Sequence, residues 1–409
     1  MTEFESLLLP LFVIVASIWL ASMAYILVNR ALYDGRHRRV RRLHDWLEKA
    51  GQTASAEERA RLIERGLERL PRRTLERIAA DTASPGWMAE AFAIYLVNRW
   101  GVQRWAKYAR AHRREVGKWR RVAALRVLSH VRYQGLLTLL KRALVDPDQD
   151  VVGAAIVILG GLGTREAAEL LVGALPRQLH PLSRIATQLD QFQLPIVDQL
   201  LPLLKDSAPS VRFWAATLLC RYPESQGLDK NLAELADDPE PLVRKAAVET
   251  LGSIGGAAAS GTAVKLLQDP VWYVRAHAAR ALGDLGRQDL AGKVVALLSD
   301  REWWVRTAAK QSLLAMGEGI WKEVVPVLDH PDRFARNGAA EVLQNIGWLD
   351  RIVEQVASGD REPQKLEILK KLFSAGGGGL VQSLAWHARE LPGLAPMLES
   401  LGLEQAGSR

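Results

Sequence analysis

Asp269 to Gly286 reads DPVWYVRAHAARALGDLG, and thirty-one residues later Asp300 to Gly317 reads DREWWVRTAAKQSLLAMG. Recurrence at a fixed period of this length constrains the fold more than composition can, because it means one supersecondary unit stacked on copies of itself. The motif is an Asp, often followed by Pro, with Val-Arg five and six positions on. Asp206 leads to Val211-Arg212, Asp238 to Val243-Arg244, Asp269 to Val274-Arg275 and Asp300 to Val305-Arg306. Asp146-Pro147 leads to Val151 without the arginine, His330-Pro331 to Ala335-Arg336 without the aspartate, and Glu115 to Arg121 keeps the register upstream. The period gives about ten units between residues ~60 and ~390.

Each residue of the unit has a physical reason. The Asp falls in a turn between two helices, where its carboxylate can accept from the amides that open the second helix and favour that helix's positive end. Proline suits the same entry, since its φ is preset and its missing donor is not needed there. The alanines Ala276, Ala278, Ala279 and Ala281 let helices approach closely. The glycines Gly252, Gly283, Gly255, Gly286 and Gly317 recur with the repeat and read as helix C-terminal turns. The run Gly160-Gly161-x-Gly163 occupies the same repeat position, follows no strand and lacks a Lys-Ser/Thr ending, so it is not a phosphate loop. No segment alternates long enough to call a sheet, and one helix pair cannot bury both its faces, so the expected fold is an all-α stack with a continuous core.

Pairs of this length carrying D-P-x-x-x-V-R and L-G-x-x-G resemble HEAT repeats of the short bacterial type also found in phycobilin lyases. The likeness is strongest from about Asp206 to Gly347. It implies a right-handed α-solenoid of about ten helix pairs. It also implies a ladder between neighbouring repeats, giving Asp238, Arg244, Asp269, Arg275, Asp300 and Arg306, with Arg336, a structural role.

Ahead of the array, Leu7 to Val28 runs 22 residues without a charge, enough at 1.5 Å per residue to cross a hydrocarbon core of about 30 Å. Glu3 and Glu5 in front of it argue against a cleaved signal peptide, which wants a basic start; a buried core helix is the other alternative. Arg36, Arg38, Arg39, Arg41 and Arg42 follow on its C-terminal side. By the positive-inside rule they place the N-terminus outside and the remainder in the cytoplasm of a single-pass inner-membrane protein, and they can also touch anionic lipid head groups. The expected organisation is an N-terminal transmembrane helix over 1–29, a basic juxtamembrane segment over 30–54, a solenoid over 55–400 and a tail over 401–409. From Arg30 to Arg132 there are 25 Lys+Arg against 11 Asp+Glu. That field favours phosphate, lipid or an acidic protein face.

Catalysis finds little support in the residue pattern. The histidines stand singly, without an i+3 or i+4 partner, there is one cysteine, Cys220, and no set of metal ligands or cofactor motif emerges. Iron-binding hydroxylases of the HEAT type use His-Glu dipeptides, which are absent here. A lyase activity is implied by the resemblance alone. Residues 99–132 interleave Trp100, Trp105, Tyr108 and Trp119 with Arg104, Lys107, Arg113 and Arg114 as a nucleic-acid surface can, or else bury the rings and leave the cations solvated. In the repeats, Trp87, Trp272 and Trp303 share a register that reads as wedged between units, while Tyr273 and Trp304 one position later face water. Tyr273, Trp304, Trp105, Arg113 and Arg114 are therefore the partner-binding candidates. The function expected is a non-enzymatic, membrane-anchored adaptor without a cofactor, its partner a protein that is itself membrane-bound. It resembles bacterial anchored HEAT proteins that accompany polysaccharide synthases, which implies a glycosyltransferase-type partner. The alternatives are a membrane-tethered nucleic-acid binder using residues 99–132 and a phycobilin-lyase-like enzyme.

Overall fold

The structure, a computed structural model, describes residues 64–375 apart from 66, 69, 81–85, 113–114, 178–180, 226 and 361. The apolar run Leu7 to Val28, the arginines Arg36, Arg38, Arg39, Arg41 and Arg42, the pair Arg113 and Arg114, and the tail 401–409 lie outside the described residues. Among the described residues every regular element is helical, and no helix is long and apolar enough to cross a membrane.

The chain forms two compact units, parting between Leu162 and Gly163 within the stretch expected to be one solenoid. The first contains α1 (Arg72–Ala80), α2 (Gly86–Trp100), α3 (Val102–Arg110), α4 (Lys118–His130), α5 (Leu136–Ala143) and α6 (Gln149–Leu162). The second begins with α7 (Arg165–Val172), α8 (Leu182–Leu189), α9 (Val197–Leu200), α10 (Pro209–Leu219) and α11 (Leu228–Ala233). It continues with α12 (Pro241–Ile254), α13 (Ala257–Leu266), α14 (Trp272–Asp284), α15 (Ala291–Val295) and α16 (Trp303–Met316). It closes with α17 (Trp321–Val324), α18 (Arg333–Asn345), α19 (Trp348–Ala357) and α20 (Pro363–Ala375).

Long and short helices alternate through the second unit. The long ones, α10, α12, α14 and α16, pack directly on one another in sequence, and the short helices α11, α13, α15 and α17 each pack on the long helix that follows. Most of the short helices tighten into a 3₁₀ turn, as at Glu234–Asp237 and Ala296–Ser299, then stop on a motif residue with extended backbone: Asp206, Asp238, Asp300 or His330. Behind them runs one apolar core that includes Val274, Leu282, Val305, Leu313, Leu343 and Leu349, all fully buried.

Close approach of the long helices has a cause that differs from the expected one. Gly255, Gly286 and Gly317 do sit in the positive-φ turns that end helices, but Gly252 and Gly283 lie inside α12 and α14. A Cβ on Gly252 would stand 2.8 Å from Ala281 Cβ, and one on Gly283 would stand 2.8 Å from Ser312 Oγ and 2.9 Å from Ser312 Cα. These two glycines are absent side chains where backbones nearly touch. The same seam is sealed by hydroxyls: Thr250 Oγ1 donates to Ala216 O at 2.9 Å and Ser312 Oγ to Ala279 O at 2.6 Å.

A second device fixes the angle between neighbours. Arg212 Nε and Nη2 donate to Asp238 Oδ2 and Oδ1 at 2.7 and 2.8 Å, Arg244 to Asp269 at 2.7 and 2.9 Å, and Arg275 to Asp300 at 2.7 and 2.8 Å. Each guanidinium also donates from Nη1 to the carbonyl of the Asp six residues before it, Asp206, Asp238 or Asp269. The Asp accepts one further bond, from the amide two residues on, as Asp269 Oδ1 does from Val271. That amide belongs to the residue preceding the helix, so the carboxylate closes the turn and does not cap the first helical amides as expected. In the first unit Arg121, 1% exposed, makes the same fork to Asp146, so the device also occurs without its Val-Arg signature.

Burial works to raise the Asp238 and Asp300 carboxyls, but the guanidinium and amide bonds outweigh it and hold both below the ordinary 3.8. The folded chain thus takes up protons at these sites less readily than the unfolded one. Their stabilisation is complete above about pH 5 and is lost as the pH falls through the depressed folded values.

Gly283→Ala is expected to lower stability by about 1–3 kcal/mol through overpacking, read as a lower urea midpoint. Arg275→Ala strands a buried carboxylate and is expected to cost about 3–5 kcal/mol; the same change at Arg306, which holds no carboxylate, should cost about 1 kcal/mol. Urea midpoints measured from about pH 7 to about pH 3 should fall less steeply in Arg275→Ala than in the parent chain.

Candidate functional site

The long helices of the second unit that follow a motif residue begin three residues past it, and their first-turn side chains are carried outward. A helical Cα–Cβ bond tilts toward the helix N-terminus, so a side chain there overhangs the inter-helix turn. Four residues after Asp238, Asp269, Asp300 and His330 stand Leu242, Tyr273, Trp304 and Phe334, and one position earlier stand Trp272 and Trp303. Leu242 is 49% exposed, Trp304 54%, Trp303 56%, Phe334 49% and Trp272 39%. Successive long helices thus present an unbroken apolar row along the edge where the turns lie.

Placement within the row differs from expectation in three respects. Tyr273 is half-buried, packed on the core and edge-on to Trp272 at 5.6 Å, so it supports the row and is not its most exposed member. Trp272 and Trp303, expected to be wedged between repeats, face solvent. They sit one residue nearer the helix end, 39% and 56% exposed. Trp304 lies edge-on to Trp303 at 4.5 Å, a rigid pair with both rings largely free. Leu242 and Phe334 were missed; the signal that finds them is the count of four from each motif residue, including His330.

Between α16 and α18 the regular packing is interrupted. Where earlier repeats hold an aspartate this one holds His330, whose Nδ1 accepts from the Asp332 amide at 3.1 Å and so performs the turn-closing half of the aspartate's work. With Nδ1 accepting, the neutral ring carries its proton on Nε2 and can offer Arg306 no acceptor. Arg306 keeps its carbonyl bonds, Nη1 donating to Asp300 O at 2.7 Å and Arg301 O at 3.1 Å. It forms no carboxylate rung among the described residues, contrary to the ladder expected to continue through it, and its Cζ lies 4.7 Å from the centre of the Phe334 ring. The register that holds Gly252 and Gly283 holds Leu314 here. A groove of about 170 Å³ opens between the two helices, lined by Trp303, Arg306, Thr307, Phe334, Asn337 and Gly338 among others.

A larger hollow of about 480 Å³ crosses α10, α12 and α14 on another face, with Cys220, Glu249, His277, Arg280 and Asp284 in its lining. Glu249 accepts from His277 Nδ1 and Lys245 Nζ, both at 2.8 Å. Burial would raise the Glu249 carboxyl, but the hydrogen bonds from His277 and Lys245 hold it below its ordinary value. A carboxylate so occupied is a poor general base, and among the described residues no cluster of metal-binding side chains forms.

In the first unit Trp105 is fully buried, its Nε1 donating to Leu96 O at 3.4 Å, which removes it from any contact surface. Arg104, Lys107 and Arg110 on the same helix are exposed. Arg72 lies over the Trp100 and Tyr108 rings, and the buried Glu76 accepts from Arg72 at 2.9 Å and Arg120 at 2.7 Å. Much of the aromatic and basic interleaving is therefore internal pairing. Lys118 over the exposed Trp119 ring is the outward remnant.

Among curated proteins none matches this chain in sequence. Three solved structures show the range of likeness. An engineered protein solved as a structural-genomics target is 19% identical, covering 80% of this chain and 94% of its own at a TM-score of 0.36. The complex of CpcE and CpcF of phycocyanin lyase from Nostoc sp. PCC7120 is 22% identical over 47% of this chain and 81% of its own, TM-score 0.31. Karyopherin Kap121p bound to the SUMO protease Ulp1p is 14% identical over 87% of this chain, at TM-score 0.49, and the chain spans 47% of the karyopherin's length. The family model described as HEAT repeats matches residues 197–267 and 260–344, the segment that holds the arginine-to-aspartate ladder, so the chain carries HEAT repeats.

Proposed function

We propose that this chain is a non-enzymatic docking protein whose second unit holds a protein partner along the row formed by Leu242, Trp272, Trp303, Trp304 and Phe334. The observation that carries the reading is the exposure of Trp303 and Trp304, 56% and 54%, on an edge whose neighbouring repeats offer apolar side chains at the same register. Large rings at adjacent positions supply contact area at small entropic cost, which is why such residues dominate binding energies. Contiguous apolar surface of this kind on an ordered scaffold marks an interaction site.

The anchor and the orientation belong to the same proposal. The 22-residue apolar run and the arginines that follow it would hold the repeats at the cytoplasmic face of the inner membrane, so the partner would be one that resides there. A polysaccharide synthase or other glycosyltransferase-type complex is the class suggested by the anchored HEAT proteins that this chain resembles. No specific observation favours the nucleic-acid reading, since Trp105 is internal and Arg72 and Arg120 are committed to the buried Glu76.

Full-length protein, extracted in detergent and crosslinked, should bring down a recurring membrane protein. Trp303→Ala and Trp304→Ala should each reduce that recovery about tenfold or more while shifting stability by no more than about 0.5 kcal/mol, as surface changes do. Equal recovery by the parent and both variants would overturn the assignment of this edge.

A further inference from the structure

We propose that the partner completes the arginine ladder: an aspartate or glutamate side chain, carried on an extended segment with an adjoining apolar residue, enters the groove between α16 and α18 and occupies the place beside Arg306 that a chain aspartate occupies in earlier repeats. This rests on the docking reading above and names the chemistry of what docks.

The argument is one of an unfilled valence in a repeated geometry. Arg212, Arg244 and Arg275 each place Nη1 on the carbonyl six residues back and turn Nε and Nη2 to the next repeat's carboxylate. Arg306 repeats the first half, with Nη1 on Asp300 O at 2.7 Å. Nη1 also reaches Arg301 O at 3.1 Å, the counterpart of the carbonyl five residues back in the other rungs, and among the described residues no acid meets the remaining fork. A planar fork with two free parallel donors is matched by a carboxylate and poorly by anything else. Position 330 carries an imidazole that closes its own turn but cannot accept from the fork, so the vacancy is built into the sequence and is not a matter of side-chain rotation.

The surroundings narrow the ligand further. Lys310, one turn along α16 from Arg306, is already paired with Glu341 at 2.6 Å, so of the cations lining the groove Arg306 is the one that meets no acid among the described residues. Arg301, with 76% of its side chain exposed, pairs with Glu302 at 3.8 Å, and Arg333 lies over Phe334 at 5.0 Å. Trp303 and Phe334 flank the entrance and offer apolar contact to a residue next to the acid, while Gly338 packs closely on Leu298, a Cβ there standing 3.3 Å from Leu298 Cδ2. Two amino acids of opposite character in sequence, one acidic and one aliphatic or aromatic, fit this arrangement.

The test uses the full-length chain and a random decapeptide library displayed on phage. Peptides selected on the parent should be enriched in Asp or Glu beside an apolar residue, and for the best of them an Asp→Asn or Glu→Gln twin should bind at least tenfold more weakly. His330→Asp supplies the missing carboxylate internally; it should raise the melting temperature and abolish selection of acidic peptides with Trp303, Trp304 and Phe334 unchanged. Arg306→Gln should erase the preference for the acid over its amide twin. Selected peptides without acid enrichment, or equal binding by parent and His330→Asp, would overturn the inference. If acidic peptides are selected only after Glu390, Glu399 and Glu404 are changed to Gln, the occupant is this chain's own C-terminal segment and the partner proposal falls. Loss of peptide binding in Trp304→Ala together with unaltered binding in Arg306→Gln would sink this proposal alone and leave the docking edge standing; indifference to both substitutions would sink both.

Discussion

A guanidinium held between two turns governs the second unit. Arg244 is attached by Nη1 to the turn that opens its own helix and by Nε and Nη2 to the aspartate that closes the next turn, and that aspartate in turn fixes the amide two residues on. Three polar groups that would each be costly to bury alone satisfy one another. The result is directional. Apolar packing of Val274 or Leu282 would tolerate sliding of one helix along the next, whereas a bidentate rung admits one register. Breaking a rung therefore does more harm than removing its net Coulomb attraction would suggest, because the stranded carboxylate stays where water cannot reach it.

Two kinds of contact share the labour at each step. The rung sets the turn end of neighbouring long helices, and the Gly252–Ala281 and Gly283–Ser312 contacts set the opposite end by allowing backbones to meet. Where both are present, at α12 to α14 and α14 to α16, the seam is closed. Where both are replaced, by His330 and Leu314, a groove opens. One substitution at the turn and one at the far end thus convert a structural joint into a surface with an unused arginine, while the apolar core beneath, through Leu313, Ala339 and Leu343, runs on without a break.

The ladder was legible because it is a spacing between residue types, and spacing survives in a sequence. Asp238 to Arg244, Asp269 to Arg275 and Asp300 to Arg306 could be read off directly, as could the repeat length and the all-helical class. What could not be read was where a rung fails, since that depends on which residue of the following repeat the arginine meets. Arg306 looks like its fellows until His330 is placed opposite it. The aromatic row was misread for a related reason. Trp272 and Tyr273, or Trp303 and Trp304, are adjacent in a first helical turn and therefore about 100° apart, and only packing of the previous repeat decides which ring is covered. The rule that a recurring residue must be internal failed at Trp303, while Leu242 and Phe334 escaped notice because they are chemically unlike Trp304 despite sharing its register. In the first unit Arg121 holds Asp146 as the register of Glu115 to Arg121 suggests, although neither copy carries the complete Asp and Val-Arg signature.

The larger polar hollow and the aromatic edge make opposite demands on a ligand, and the comparison favours the edge. In the hollow Glu249 is committed to His277 and Lys245, so a ligand entering there would have to displace satisfied bonds and recover their strength. Along the edge the rings of Trp303 and Trp304 have water to release and nothing to give up, and Arg306 has donors to fill. Binding free energy is a difference between bound and free states, so groups that are poorly served in the free protein contribute most when a partner arrives. The same logic explains how a stack of near-identical repeats can have distinct addresses: Arg306, and Arg336 after it, keep their carbonyl bonds but meet no acid among the described residues. Most joints spend their arginine internally, and a joint that does not is distinguished from them by chemistry even though its backbone repeats theirs.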